Sequence, residues 1–337
     1  MDSSLNLENK EQETTDELAG VGAASAGPTS YGFRKDGLRR FLLGLGLGAA
    51  IILVLAAVIF GVGIYRFGWS GEVVAKITKV APYPAAFVNW RPVRFSDYAD
   101  DVETLKTFFA SQGAELGAEM PSEQELKSQV LDRLLKNELS YQLAKKYNVS
   151  VSDGDLEAEV EKIVAQDESR ENVEETLQKQ YGWGIAEFKE KVLKPFLIQQ
   201  KLQEAISKDE TLNQEAKQKA ENVLAEVKKG EKSFEDLAKE YSGDTTAEDG
   251  GDLGYFGRGT MVPEFEAAAF ALGAGETSDL VLTSYGYHII KVIEQIKDDN
   301  GEITQVRAEH ILVKTKSLDD FLTEESAKAK IWRFIKI

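Results

Sequence analysis

The sequence predicts an α+β chain carrying one membrane-spanning helix, and three features predict it. An uncharged apolar run extends from Phe41 to Tyr65. Leucine-rich stripes at helical spacing cover residues 126–206. Beyond residue 230, short helical patterns give way to apolar strand-like stretches that hold both histidines of the chain. The length of 337 residues allows two or three domains, and 42% hydrophobic residues suffice for true cores. A formal net charge of −17, with no compensating basic block, argues against nucleic acid as a partner. The absence of cysteine removes disulfides and thiolate metal sites, and two histidines without a His/Cys cluster argue against a transition-metal site, so no cofactor is expected.

Residues 1–40 read as a disordered acidic tail, rich in Ser, Thr, Gly and Ala, that ends in a basic flank of Arg34, Lys35, Arg39 and Arg40. As a helix, residues 41–65 would extend about 37 Å, enough to cross a hydrocarbon layer of roughly 30 Å with tilt. The basic flank in front, against Arg66 alone behind, predicts a cytoplasmic N-terminus. The run starts too far from Met1 and is too long for an ordinary cleaved leader, so an uncleaved single-pass anchor in the cell membrane is expected. Everything after about residue 70 then lies outside the cytoplasm.

From 72 to 208 a mainly helical module is expected. Residues 73–80 and 85–90 look like short strands around Pro82 and Pro84. Ser122 and Glu125 form a capping-box pattern ahead of Leu126, Val130, Leu131, Leu134, Leu135, Leu139 and Leu143. Asn148 to Asp153 break that helix, and Leu156, Val160, Ile163 and Val164 begin the next. A further stripe from Phe188 to Ile206 contains Pro195, which predicts a kink or break. This order of elements resembles the N-terminal chaperone domain of the SurA/PrsA foldase family. The resemblance implies an extended apolar surface that holds unfolded segments; the residues by themselves are equally those of a helical bundle filling its own core.

The module from 212 to 316 has sharper marks. A helix from about Asn213 to Lys229 stops at Gly230, and Ser233 caps a short second helix. Then come Phe-x-x-Leu-Ala-x-x-Tyr-Ser at 234–242, Gly-Gly-Asp-Leu-Gly at 250–254, Met-Val-Pro-Glu-Phe at 261–265 and Tyr-Gly-Tyr-His-Ile-Ile-Lys-Val at 285–292. A third helix is expected over Glu264 to Leu272, with strands at 280–283 and 287–296. These four motifs, in order, resemble the parvulin family of peptidyl-prolyl isomerases, which implies a four-stranded antiparallel sheet with helices. Parvulins resemble one another in opening with a strand of the form Ala-x-His-Ile-Leu-Val. Nothing of that form stands at 205–212, whereas Ala308-Glu-His-Ile-Leu-Val follows the last motif. Either a second repeat begins there or the domain is circularly permuted; only a short stretch follows Arg307, which favours permutation, with Asp298-Asp-Asn-Gly-Glu as the closing turn.

Register makes the permuted reading testable. A two-residue Asn300-Gly301 turn would put the histidines on opposite sheet faces. A three-residue loop, Asp299-Asn300-Gly301, sets His288 opposite Leu312 and His310 opposite Ile290, so that both histidines share one face. The tail at 317–337 is expected to pack on one of the two modules, either on its own domain or back on the helical one.

By the resemblance, Leu253, Met261 and Phe265 line a proline pocket with Phe256 nearby. His288 and His310 form a hydrogen-bonded pair beneath it, Thr283 adds a hydroxyl, and Asp244 stands where some parvulins carry cysteine. The implied function is a membrane-anchored extracytoplasmic prolyl isomerase and foldase, whose substrates are unfolded or exported polypeptides with X-Pro bonds. Only Lys314 and Lys316 follow His310, so no phosphate-specific recognition is expected. A second reading keeps the fold as a holding chaperone without turnover.

Overall fold

The computed structural model describes residues 35–112, 120–166 and 169–336; most of the expected tail, residues 1–34, lies outside them. The chain divides into two compact units between Phe60 and Gly61. Helix α1 (Lys35–Phe67) includes Ala49–Phe67, the one stretch among the described residues that is long and apolar enough to cross a membrane.

Residues 73–80, expected as a strand, form helix α2 (Glu72–Val80) instead. Their β-branched content misleads, because Val74 and Thr78 lie one helical turn apart and are buried together. The Thr78 hydroxyl also donates to the Val74 carbonyl at 2.9 Å. Strand β1 (Pro84–Val88) turns through Asn89 and Trp90, both left-handed (φ 49° and 69°), into β2 (Arg91–Arg94).

Helices α3 (Phe95–Gln112) and α4 (Glu123–Lys146) follow, and α4 opens with the expected capping box between Ser122 and Glu125. Next come α5 (Asp153–Gln166), α6 (Arg170–Tyr181) and the single turn α7 (Ile185–Phe188). The break expected near Pro195 is a π-helical turn, Lys189–Leu193, which runs into α8 (Lys194–Ser207). Pro195 sits in the first turn of α8, where its missing N–H is tolerated. Fully buried Leu126, Val130 and Leu131 of α4 and Leu202 and Ile206 of α8 centre one core. Leu156, Val160, Leu177 and Leu197 centre a second.

Helix α9 (Gln214–Lys229) ends at left-handed Gly230, and Ser233 caps α10 (Phe234–Tyr241). A 3-10 turn at Thr245–Asp249 leads to β3 (Asp252–Gly257), α11 (Pro263–Ala271), β4 (Val281–Thr283), β5 (Gly286–Lys297) and β6 (Ile303–Lys314). These strands make one antiparallel sheet in the order β3-β6-β5-β4, so the strand carrying His310 lies inside it. Alternation splits the side chains between two cores. Ile289 and Ile311 pack with Val223, Phe234 and Leu237 of α9 and α10. Ile290, Val306 and Ala308 pack with Phe265 and Phe270 of α11.

The β5–β6 connection is the three-residue loop. The Asp298 amide donates to the Glu302 carbonyl at 2.9 Å, the Gly301 amide to the Asp298 carbonyl at 3.0 Å, and Gly301 has φ 82°. Register irregularities at Val292/Glu294 and Ile296/Lys297 cancel one another. His288 therefore pairs with Leu312, and Ile290 with His310.

Helix α12 (Leu318–Lys328) then packs against α4 and α8, and β7 (Ile331–Arg333) pairs with β1 to give a second sheet, β2-β1-β7. The tail thus returns to the helical module. Gln203 of α8 secures the junction, accepting from the Leu318 amide at 2.5 Å and donating to the Ser284 carbonyl at 2.9 Å.

Candidate functional site

The shared register brings His288 and His310 together, with Nδ1 to Nδ1 3.2 Å apart and both side chains about 5% exposed. Phe265 of α11 lies edge-on to both rings, at centroid distances of 5.2 and 5.7 Å. Phe256 and Phe270 lie beside Phe265 in the same apolar cluster, and partly buried Leu253 and Met261 pack against it. The expected apolar residues Leu253, Phe256, Met261 and Phe265 therefore adjoin the histidine pair.

Each ring nitrogen has a partner on its far side as well. His288 Nε2 meets Thr283 Oγ1 at 2.9 Å, and that oxygen accepts from the Tyr285 amide at 3.1 Å. His310 Nε2 meets Asp244 Oδ2 at 3.0 Å. These partners fix the tautomers. A carboxylate only accepts, so His310 carries its proton on Nε2 and presents a bare Nδ1. His288 must then donate from Nδ1, which leaves its Nε2 to accept from the Thr283 hydroxyl. One unbroken donor chain runs from the Tyr285 amide to Asp244 with both imidazoles neutral. Burial favours that state: it depresses His288 to about 3, with the neighbouring His310 adding to the effect, and it lowers His310 against the opposing pull of Asp244. For Asp244, burial pushes the carboxyl up, but hydrogen bonds from Thr246 and His310 outweigh it and hold the group at about 2.

Asp244 is fixed by its backbone position. It caps the 3-10 turn, accepting from the Thr246 amide, and the Gly243 amide just before it donates to the Leu312 carbonyl at 2.7 Å. The segment is thus tied to the strand that bears His310. Two residues that hold the site together are absent from the sequence expectations. Thr246 donates to Asp244 Oδ2 at 2.6 Å and lies 3.2 Å from His310 Nε2; the Asp-x-Thr cap pattern at 244–246 was the available signal. Gly251 reads as a turn residue but does more. Its φ is 82°, and a Cβ there would stand 2.2 Å from the His310 carbonyl oxygen, so only glycine lets β6 approach.

The arrangement offers no nucleophile and no strong base, since both histidines are held neutral and their lone pairs are used internally. It offers a polar, rigid floor under a wall of apolar and aromatic side chains.

Comparison with known proteins follows the same division. The SurA-like N-terminal domain family matches residues 38–202, and the PPIC-type PPIASE domain (Rotamase) family matches residues 198–294, ending before β6 begins. The chain is 37% identical over 183 residues to the "Foldase protein PrsA" of Oceanobacillus iheyensis, which covers 48% of this chain and 60% of that protein. It is 40% identical over 175 residues to the "Foldase protein PrsA" of Caldanaerobacter subterraneus, with 49% and 56% covered. With the "Chaperone SurA" of Bordetella avium it shares 37% identity over 123 residues, 35% of this chain and 24% of that one. The chain thus spans somewhat over half the length of these PrsA relatives.

Proposed function

We propose that this chain, which joins a SurA-like N-terminal domain to a PPIC-type PPIase domain, is a membrane-anchored peptidyl-prolyl cis-trans isomerase and foldase for exported polypeptides. The observation that carries the proposal is the buried His288–His310 pair under Phe265, closed at its ends by Thr283 and Asp244. Isomerisation must overcome an amide rotation barrier of about 18–20 kcal/mol. A proline ring seated among Leu253, Met261 and Phe265 leaves water, and a dry site disfavours the polar planar amide relative to the twisted one. On this reading the histidines act by shaping and stiffening the pocket floor, because both are held neutral and every ring N–H and lone pair is engaged within the network.

We further infer that the isomerase domain is circularly permuted. In its support, the family match ends at residue 294, while the strand with the family's opening pattern follows it and fills the place between β3 and β5. The anchor is the apolar run at 41–65, which overlaps the stretch Ala49–Phe67 that is long and apolar enough to cross a membrane, with a cytoplasmic N-terminus and the domains beyond residue 70 outside. The helical domain supplies the surface for unfolded segments.

The test is prolyl isomerisation of an unphosphorylated Ala-Pro peptide by the full chain in detergent, beside Phe265→Ala. Catalysis that falls about tenfold or more on truncating the pocket wall supports the reading. If the intact chain leaves the uncatalysed rate unchanged yet suppresses aggregation of an unfolded protein, the holding chaperone is correct instead.

A further inference from the structure

The small sheet β2-β1-β7 differs in charge and texture from the rest of this acidic protein. From Gly61 to Ser96 the only acid is Glu72, against Arg66, Lys76, Lys79, Arg91 and Arg94, and the segment 329–337 holds three cations and no acid. Arg66, Arg91, Arg94 and Lys336 are exposed and form no ion pair with a described residue, whereas Arg333 is held by Asp132 at 3.4 Å.

One face of the sheet is aromatic. Phe87 pairs with Trp332 and Pro92 across the strands, so these side chains share a face by register, and Phe334 follows Trp332 at the same parity. Phe334 lies 5.6 Å from Phe87, and Trp90 lies 4.5 Å from Trp332 between centroids. Trp90 is 72% exposed and Phe334 42% exposed. The opposite face is the covered one, with Ala86 and Val88 fully buried.

The last turns of the apolar span adjoin the aromatic face. The Tyr65 hydroxyl donates to the Pro84 carbonyl at 2.9 Å, and its ring stands 6.0 Å from Phe334. The uncharged apolar run ends at Tyr65 and Arg66 follows it, so Tyr65 falls near the hydrocarbon boundary. The headgroup layer beyond is only about 5–8 Å deep. Side chains in contact with Tyr65 cannot be far outside it.

We propose that this face is a lipid-binding surface that seats on the bilayer beside the anchor, its aromatic rings at headgroup depth and its cations on anionic lipid headgroups. The proposal rests on the anchored reading above. Charge selects the occupant: a protein of net charge −17 would be repelled by an anionic membrane, whereas the acid-poor, cation-rich segments 61–96 and 329–337 meet where the chain leaves that membrane. Aromatic residues with polar edges prefer the same zone.

The test uses the full chain with Trp69→Phe and Trp183→Phe, which leaves Trp90 and Trp332 as the only tryptophans, in vesicles whose acyl chains are brominated near the headgroup. With anionic phosphatidylglycerol present, roughly half the emission should be quenched, as expected for tryptophans at headgroup depth. Arg94→Glu, two residues beyond Pro92 and so on the aromatic face by parity, should reduce that quenching, and raised salt should do so in the unreversed protein, which needs no further variant. Alkaline carbonate extraction is run on the same vesicles. Retention in the membrane without quenching overturns this surface and leaves the anchor intact; release by alkali overturns both. Emission that responds to an unfolded polypeptide but not to lipid assigns the face to protein clients and likewise overturns the proposal.

Discussion

Two antiparallel hairpins in this molecule are built on opposite terms. The β5–β6 hairpin is long, closes through a glycine at φ 82°, and buries residues on both faces. The β1–β2 hairpin is short, turns through two non-glycine residues at positive φ, and is completed by a strand from the far end of the chain. The first places its functional side chains by local chemistry and register. The second depends on Asn89, whose amide and side chain bond the Lys330 carbonyl and amide at 2.9 Å each, for its link to β7. A site that needs two side chains within one hydrogen bond is built on the hairpin with redundant constraints.

The most damaging way to break the first hairpin's surroundings is Gly251→Ala. The added methyl meets the His310 carbonyl oxygen at 2.2 Å and must adopt a backbone conformation that alanine avoids. A destabilisation of about 3 kcal/mol or more is expected from strain and lost pairing together. Urea denaturation measures it, and a change below about 1 kcal/mol would mean that β3 and β6 are free to separate.

Acid provides the next largest effect. His288 is depressed from 6.5 to about 3 in the folded protein, so the unfolded chain takes up its proton first. Stability is complete above pH 6.5 and falls as pH drops toward 3. Between pH 7 and pH 5 the loss from this residue is on the order of 2 kcal/mol, and His310 acts in the same direction. The urea midpoint should fall across that range, and His288→Gln should flatten the dependence. The isomerisation rate per folded molecule should show no histidine step near pH 6.5, because the pair stays neutral. A bell-shaped profile centred there would instead give the histidines a proton-transfer role.

Most of the candidate site was legible because its signals are local. Met261 and Phe265 stand in one pentapeptide, and of the two turns the sequence allows the three-residue loop sets His288 beside His310, its parity preserved because the two register irregularities cancel. Thr246 was missed because a capping threonine is indistinguishable from a loop threonine until the strand it faces is in place. Gly251 was missed because its neighbour, the His310 backbone, is remote in sequence. The segment 73–80 was misread as a strand because β-branched residues carry a weak preference that burial of Val74 with Thr78 overrides. Sheet β2-β1-β7 was the least legible element of all, since its third strand comes some 240 residues after its first.

That distance makes the second hairpin the natural place for the mildest test. Deleting residues 331–337 removes β7, two of whose three residues are exposed, and strips the edge of β1 of its partner. The ladder, the Phe334 amide bond to Ala85 and the Phe87–Phe334 contact together contribute about 1–2 kcal/mol, so a fall of a few degrees in the melting temperature of the helical module is expected. Prolyl isomerase activity at 25 °C should persist, because no residue of the His288–His310 network lies beyond 317. An unchanged melt would mean that β7 rests on β1 without stabilising it. Loss of isomerase activity with the helical module still folded would mean that the tail reaches the site through the Gln203 junction, and the two hairpins would then be coupled rather than independent.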